Sequence, residues 1–427
     1  MNTVLTHRDA NVLLQDRAVP SLRANFRWTF AGQLLYSLCQ WAMISILAKA
    51  GSSAVVGEFA LGLAISAPVF MLTNLSLRAV QATDARSSFE FADYFSLRVL
   101  TSFIGLFAVA LITLGLHADR STKFVVLLVA VSKAVESLSN VIAGLLQKFE
   151  RLDQVAISLI FRGGLSLAAF GGAFHHWRSL IAAVAALVIA WSLTFAIYDI
   201  ARALAVLKGA GFFRFRRASL QKLLTLSAPL GVVMALSSLN INIPRYVLVK
   251  YLGEADLGVF ASLSYLLIAV TLIVNALGQS ASARLSRLFA AGDLEGFRGI
   301  LKKLLLLAAF IPALGIPIAL LFGRPLLSLL YRPEYGNHVG VLVIMVITAA
   351  LTAIGSFMGY GMTAVHAFRA QVPVMAATLT STIVLCFMLI PRMGLIGAAL
   401  ALLASEVVYA GGLAFGLYRA LNAAGGW

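Results

Sequence analysis

Charged side chains are scarce in this sequence: Asp, Glu, Lys and Arg make up only 12% of its 427 residues, whereas 61% are hydrophobic. A soluble protein of this length would form two or three domains with polar surfaces, and this composition cannot supply them. Apolar runs of about 20 residues, the length that crosses a bilayer as a helix, recur along almost the whole chain instead. The scarcity of charge therefore excludes a soluble globular protein and indicates a membrane protein.

Cysteine is equally rare, because the chain has only Cys39 and Cys386. Both lie inside apolar runs, so we expect two small core residues and no disulfide framework or zinc site. No Gly-Lys-Ser/Thr loop of the Walker type is present for binding ATP. His175 and His176 lie beside Trp177, which suits the membrane interface, and they lack the spacing of metal ligands. The sequence thus predicts no enzyme, no cofactor and no metal.

Helix is the expected state of every span, since lipid cannot satisfy backbone polar groups and no alternating barrel pattern occurs. The sequence therefore predicts an all-α polytopic membrane protein with about twelve transmembrane helices. These spans lie near 26–48, 57–80, 94–116, 124–147, 155–174, 180–204, 223–249, 257–279, 303–323, 339–362, 371–390 and 394–418.

Basic residues are distributed unevenly between the two ends of these spans. With the N-terminus inside, 23 of the 33 Lys and Arg fall at the cytoplasmic face and 9 at the other, and Lys133 lies in mid-span. This asymmetry predicts cytoplasmic N- and C-termini. The formal charge of +16 then reflects topology rather than nucleic-acid binding. The polar first 25 residues predict a cytoplasmic tail and no cleavable signal peptide.

An internal repeat becomes visible when the chain is shifted by 201 residues, which lays Leu47–Ala60 over Leu248–Ala261 without a gap. Six identities fall in these 14 positions, among them Gly57 with Gly258, although apolar composition inflates such matches. Because 201 residues hold an even number of spans, the two halves would share one orientation, as in the parallel repeats of transporters.

The repeat predicts two six-helix bundles around a central cavity. The expected organisation is a tail at 1–25, a bundle at 26–207, a cytoplasmic linker at 208–222, a second bundle at 223–418 and a tail at 419–427.

Two segments carry a family resemblance. Gly57–Ala64, continued by Pro68–Asn74 and Leu77–Ala79, resembles the second span of polysaccharide exporters, and Asn240–Gly258 followed by Gly278–Ser280 resembles them as well. These exporters are O-antigen-type flippases of the multidrug/oligosaccharidyl-lipid/polysaccharide (MOP) superfamily, which also holds multidrug exporters and the lipid II flippase. The resemblance implies a V-shaped pair of bundles whose cavity opens alternately to either side.

The resemblance also implies a substrate, a location and a partner. The substrate would be an undecaprenyl-diphosphate-linked oligosaccharide, carried from the cytoplasmic to the periplasmic leaflet of a bacterial inner membrane. The partner would be a complex with a polysaccharide polymerase.

A diphosphate that crosses the bilayer needs cations and hydrogen-bond donors at membrane depth. Arg245 is the best candidate, because Ser238, Asn242 and Arg245 share one face of span 7 and an Arg fork fits phosphate oxygens. The alternative is a flanking Arg that reaches the headgroups. We expect Arg78 and Arg162 to reach the cytoplasmic surface, unless Arg78 faces the cavity and meets an entering diphosphate.

Two further groups lie near the middle of spans. Lys133 and Glu136 are three residues apart in span 4, either as a self-neutralised packing pair or as a cavity cation beside an acid that exchanges a proton. Glu406 is an isolated carboxyl in span 12, either an ion-coupling group or a structural glutamate bonded to a neighbour.

Neutral polar side chains form a stripe on span 1, and prolines interrupt other spans. Gln33, Tyr36 and Gln40 suit sugar hydroxyls, but such residues also serve contacts between helices. Prolines within spans act either as hinges between two states or as kinks without motion. They occur in spans 2, 7 and 9, at positions 68, 229, 244, 312 and 317.

Three functions compete for this pattern. A flippase for lipid-linked oligosaccharide explains the span count, the repeat and the buried cations together. A multidrug exporter of the same superfamily would favour buried acids for its cationic drugs, whereas the inward-leaning charges here are mostly basic. A polysaccharide polymerase would carry catalytic residues on one large loop, and no loop here exceeds roughly 20 residues. The sequence therefore favours the flippase.

We expect a reporter that is active only in the periplasm to be silent when it is fused after Trp427. The reason is the excess of basic residues at the face that carries both termini. The measurement is reporter activity in cells, with a fusion in the turn near Arg178 as the active control. Activity after Trp427 would overturn the topology.

Overall fold

The computed structural model describes residues 22–84, 88–209, 211–365 and 368–424. Positions 1–21 of the tail predicted at 1–25 and positions 425–427 of the tail predicted at 419–427 therefore lie outside it. The described residues form helices joined by short turns. Spans 1 to 6 are Leu22–Ala50, Ser53–Asn74 continued by Leu77–Thr83, Phe91–Leu114, Arg120–Lys148, Leu152–Trp177, and Leu180–Leu193 continued by a π-helical turn at Thr194–Asp199 and by Ile200–Leu207. Spans 7 to 10 are Arg217–Leu252, Glu254–Leu266 continued by Ile268–Ala290, Leu294–Leu330, and a 3-10 turn at Pro333–His338 continued by Val339–Ala364.

The last helix, Phe368–Ala424, holds two spans. Its 57 residues would extend roughly 85 Å at 1.5 Å per residue, far beyond a hydrocarbon core of about 30 Å. The backbone leaves helical geometry at Gly394, with φ 60° and ψ −134°. A Cβ on Gly412 would lie 2.7 Å from Val374, and Gly397 is packed against the backbone of Leu389. In both pairs the two residues are equally far from residue 393 along the chain, as in a helical hairpin, so spans 11 and 12 run antiparallel.

The predicted architecture is confirmed by this arrangement. Eleven helical stretches of the described chain are long and apolar enough to cross a membrane, and the last of them contains two spans. The protein is therefore a polytopic all-α membrane protein with twelve spans, as the sequence indicated. The prolines that the sequence placed inside spans lie inside helices.

Large apolar side chains cover the outside of the helix bundle, as a lipid solvent requires. Phe103 is 67% exposed, Ile197 70% and Leu321 73%. The principal core lies between the two halves of the chain, where Met43 and Phe59 pack in one cluster with Phe260. Cys386 is buried in this cluster and Cys39 is partly buried, both as free thiols.

The two halves, here called the N-lobe (spans 1–6) and the C-lobe (spans 7–12), meet at a symmetric crossing of spans 2 and 8. A Cβ on Gly57 would overlap the backbone of Glu254, and a Cβ on Gly258 would overlap the backbone of Ser53. Ser53 and Glu254 are themselves 201 residues apart, so the two contacts are the same contact made in both directions. This reciprocity supports the internal repeat, while the bundle boundaries given above stay predictions.

The lobes are bridged at one side of the membrane. We call the side where span 1 begins and span 12 ends the terminal face, and the other side the opposite face. Toward the opposite face, Trp41 Nε1 donates to the Tyr331 hydroxyl at 3.1 Å, which in turn donates to the Ser262 carbonyl at 2.9 Å. Arg332 donates to the Lys49 carbonyl at 3.4 Å at that same face. These hydrogen bonds join the two lobes toward the opposite face.

We expect Gly57→Ala and Gly258→Ala each to destabilise the protein by about 1–3 kcal/mol, because the added methyl forces the two lobes apart. Thermal unfolding of purified protein in detergent measures the loss. Gly164→Ala is the matched control, since a Cβ there meets nothing within 4 Å. Equal stability of all three variants would contradict a tight crossing at these glycines.

Candidate transport cavity

Side chains from spans 1 and 4 form a polar cluster in the N-lobe. Lys133 Nζ lies 2.8 Å from Glu136 Oε2, and each side chain is 23% exposed. Gln40 donates to the Tyr36 hydroxyl at 2.7 Å, and Tyr36 is also within hydrogen-bonding reach of Glu136. Two of the three residues of the predicted stripe on span 1 thus meet the predicted pair on span 4.

An aromatic ring on span 6 joins a second cation to this cluster. The Trp191 ring lies 5.6 Å from Lys133 Nζ and 5.7 Å from the Arg162 guanidinium. Gln33, the third residue of the stripe, is partly exposed about one turn from Tyr36. Trp191 itself is only 2% exposed, so both cations interact with a ring that is buried in the N-lobe.

Arg162 is buried inside the N-lobe, which corrects our expectation that it reaches the cytoplasmic surface. It is 4% exposed, and its Nη2 lies 3.3 Å from Asp199 Oδ2. Ser158 donates to the other oxygen of Asp199 at 2.6 Å. Asp199 ends the π-helical turn of span 6, a local change of helix geometry that is frequent at functional positions. A buried pair explains this Arg better than a path to the headgroups.

Arg78 faces the same interior region from the terminal side. Its Nε donates to Gln147 Oε1 at 3.0 Å, and its side chain lines a small cleft together with Arg162 and Asp199. Arg78 therefore points into the interior of the N-lobe and not to the cytoplasmic surface. Three cations of the N-lobe cluster, Arg78, Arg162 and Lys133, face the two carboxylates of Glu136 and Asp199.

Arg98 on span 3 is also a buried cation. By sequence it is one of the 23 basic residues nearest the cytoplasmic face. It is 1% exposed, and its Nη1 donates to Asn74 Oδ1 and, at 3.3 Å, to the Ser137 hydroxyl. Ser137 donates to the same Asn74 oxygen. No carboxylate pairs with Arg98 in the described part of the chain. Asn74 and Asn275 are 201 residues apart, which is the offset of the internal repeat, and the side chain of Asn275 is outside the described part of the structure.

The C-lobe encloses a polar cavity of about 230 Å³, and both Arg245 and Glu406 line it. Arg245 Nη1 donates to Asn242 Oδ1 at 3.0 Å, and Asn242 donates to the Ser238 carbonyl at 2.8 Å. The predicted shared face of span 7 is thus a continuous chain of hydrogen bonds that turns Arg245 inward. Nine apolar residues and six neutral polar ones form the rest of the lining, and the polar ones are Asn240, Ser264, Thr271, Thr348, Thr352 and Ser356.

Glu406 brings a buried carboxyl to this wall. Its Oε2 is buried and has no hydrogen-bond partner among the described residues, while Thr352 is within hydrogen-bonding reach of the carboxyl group. The sequence treated Glu406 and Arg245 as independent candidates, because they lie 161 residues apart on spans 12 and 7. The fold brings them to one cavity.

Tyr265 on span 8 lies in electrostatic range of Tyr36 in the N-lobe and of Arg245 in the C-lobe. The N-lobe cluster and the C-lobe cavity are therefore the two parts of the candidate transport site. No sequence signal singled out Tyr265, since a lone Tyr in an apolar run carries no pattern.

We expect Asp199→Asn to destabilise the protein by about 3–5 kcal/mol, because it leaves the buried Arg162 charge without a counter-ion. Thermal unfolding in detergent measures the effect. The matched control is Glu90→Gln, which breaks the ion pair of a 60% exposed carboxylate with Arg214 and should cost at most about 1 kcal/mol. Similar losses for both variants would contradict a buried structural pair at Arg162.

The chain is similar along most of its length to proteins of known sequence or structure. No family model matches the chain. A capsular polysaccharide biosynthesis protein, CapF of Staphylococcus aureus, is 29% identical over 385 residues, which cover 90% of this chain and 96% of that protein. The lipid II flippase MurJ, in an inward closed conformation, superposes with a TM-score of 0.73 and 14% identity over 92% of this chain and 88% of its own.

A third similar protein is a multidrug resistance MATE family transporter of the MOP superfamily in an inward-facing conformation. It superposes with a TM-score of 0.68 and 15% identity over 92% of this chain and 96% of its own. The two solved structures are those of a lipid II flippase and a multidrug transporter, and none of the three names is that of a polymerase. The resemblance predicted from the sequence is confirmed at the level of the fold: the chain has the fold of MOP superfamily transporters and is similar along most of its length to a protein of capsular polysaccharide biosynthesis.

Proposed function

We propose that this protein flips an oligosaccharide linked to undecaprenyl diphosphate from the cytoplasmic to the periplasmic leaflet of a bacterial inner membrane. The observation that carries the proposal is that each lobe holds cations at membrane depth: Arg245 lines the cavity of the C-lobe, and Lys133 and Arg162 lie beside the Trp191 ring in the N-lobe. The names of two similar proteins, a capsular polysaccharide biosynthesis protein and a lipid II flippase, support this class of substrate.

The chemistry of the cavity fits the two parts of such a headgroup. The Arg245 guanidinium can bind two phosphate oxygens at once, and Asn242 fixes its orientation. Tyr36, Gln40 and the partly exposed Gln33 offer neutral donors and acceptors to sugar hydroxyls. The diphosphate would thus bind toward the C-lobe and the glycan toward span 1.

Alternating access requires the two lobes to part at one face at a time. The hydrogen bonds of Trp41, Tyr331 and Arg332 join the lobes toward the opposite face, which supports a state that opens to the terminal face. With cytoplasmic termini, this is the state that loads substrate from the cytoplasmic leaflet. Substrate can drive the exchange only by binding the two states with different affinity. Assembly with a polysaccharide polymerase rests on the family resemblance alone.

One observation favours a second candidate, a multidrug or cation antiporter. Glu406 presents a buried carboxyl oxygen without a partner among the described residues, and such an acid suits a cationic ligand. Arg245 lines the same cavity and repels that ligand, so the anionic substrate remains the better fit. Transport of a cationic dye by the wild-type protein would reverse this choice.

We expect Arg245→Ala to abolish glycan export at normal protein level, and Arg245→Lys to restore it only in part because the bidentate geometry is lost. Surface polysaccharide in cells that express each variant is the measurement. Lys250→Ala on the same helix is the matched control, since that side chain is exposed beside Tyr251 and Phe387. If Arg245→Ala exports glycan as well as the wild-type protein does, Arg245 does not bind substrate and the alternative holds, in which it is a flanking residue that reaches the lipid headgroups.

We expect Glu406→Gln to remove the stimulation of transport by a pH gradient, and Glu136→Gln to lower transport with and without the gradient. Glu406 has no ion-pair partner among the described residues and can exchange a proton, whereas Glu136 holds Lys133. Transport into oriented vesicles, with and without a gradient, separates the two. Full stimulation in Glu406→Gln would leave this carboxyl with a packing role.

A further inference from the structure

An apolar groove lies beside the polar cavity of the C-lobe, between spans 8, 9 and 10. Its volume is about 460 Å³, within the roughly 300–1,000 Å³ of pockets that bind small ligands. Every residue that lines it is apolar or glycine. The groove opens to the lipid-facing surface at Phe310 and Leu314, which are 61% and 53% exposed, and its floor is formed by the buried Val274, Ala308 and Phe357.

The groove and the polar cavity share one wall. Leu267, Val270 and Val274 of span 8 line both of them, so a single row of side chains separates an apolar space from the space that holds Arg245. Span 8 is also interrupted at this wall, because one helix ends at Leu266 and the next begins at Ile268. Breaks in a membrane helix are tolerated where they lie in protein or line a cavity, and they are sites at which a wall can move.

We infer that this groove binds the first part of the polyisoprenoid chain of the substrate while the diphosphate lies in the cavity beside Arg245. The inference rests on the proposed function and adds a second subsite to it. A charged headgroup is unstable in hydrocarbon and a polyisoprenoid chain is unstable in water, so an amphiphile needs two adjoining compartments of opposite polarity. The groove and the cavity are such a pair.

An ordinary phospholipid is a different occupant with a different geometry. Its acyl chains would fill the groove from the membrane, but its headgroup would stay at a membrane face. A chain whose diphosphate binds Arg245 enters the groove from the wall of the cavity instead. Binding that depends on both Arg245 and the groove therefore identifies the lipid-linked substrate.

The first test fills the floor of the groove. Ala308→Phe is expected to weaken the binding of undecaprenyl diphosphate about tenfold, and to leave the binding of geranyl diphosphate unchanged because its short chain does not reach the floor. Leu306→Phe is the matched control, since Leu306 lies two positions away on the same helix, is 62% exposed and does not line the groove. Native mass spectrometry of the purified protein measures both affinities.

The outcomes of this test separate the groove from the proposed function. If the wild-type protein binds neither diphosphate, the substrate class is wrong and the groove proposal is overturned with it. If the wild-type protein binds both and Ala308→Phe behaves like Leu306→Phe, the substrate class stands and the groove is not the chain subsite. Weaker binding of both probes by Ala308→Phe alone would show that the variant distorts the head site, and the second test then decides.

The second test leaves the floor intact. A photoreactive benzoylphenylalanine in place of Phe310, at the mouth of the groove, should form an adduct with undecaprenyl diphosphate in phospholipid vesicles, and Arg245→Gln should remove most of that adduct. The same replacement at Phe103, on the lipid-facing surface of the N-lobe, is the control. Adducts with phospholipid only, equal at both positions, would overturn the proposal.

Discussion

The cost of a charge at membrane depth is the constraint on which the rest of this structure depends. A Lys, Arg or Asp at the centre of a spanning helix costs about 3 kcal/mol on insertion scales, so each must be paired or face a polar space. Arg162 meets Asp199, Lys133 meets Glu136, and Arg98 is held by Asn74 and Ser137. The contacts of Arg162 and Arg98 join different spans of the N-lobe, whereas the Lys133–Glu136 pair lies within span 4. Arg245 and Glu406 instead line a cavity in the C-lobe.

The two lobes satisfy this constraint in different ways. The N-lobe neutralises most of its interior charge by ion pairs and by the face of Trp191. The C-lobe keeps Arg245 and Glu406 on the wall of a cavity, beside an apolar groove. The crossing at Gly57 and Gly258 joins the lobes by close backbone contact. We therefore assign diphosphate binding to the cavity of the C-lobe and chain binding to the groove beside it.

Interactions within one helix were predictable from the sequence. The spacing of Lys133 and Glu136 predicts their ion pair, the spacing of Asn242 and Arg245 predicts their hydrogen bond, and apolar run lengths predict the twelve spans. The physical reason is that residues three or four positions apart on a helix are neighbours whatever the rest of the fold does.

Interactions between helices were not predictable in the same way. The burial of Arg162 depends on Asp199, which a π-helical turn of another span brings to it, and Arg98 depends on residues of two other spans. The shared cavity of Arg245 and Glu406 depends on the packing of spans 7 and 12. A single sequence contains no information on which faces of different helices meet, so both arginines were assigned to the surface.

The central claim is that the cavity carries a lipid-linked glycan across the membrane, and a deletion strain tests it most directly. The measurement is the amount and the sidedness of undecaprenyl-diphosphate-linked repeat units in cells that lack this chain. The account predicts that these units accumulate on the cytoplasmic side while surface polysaccharide is lost. Normal surface polysaccharide without accumulation would contradict it.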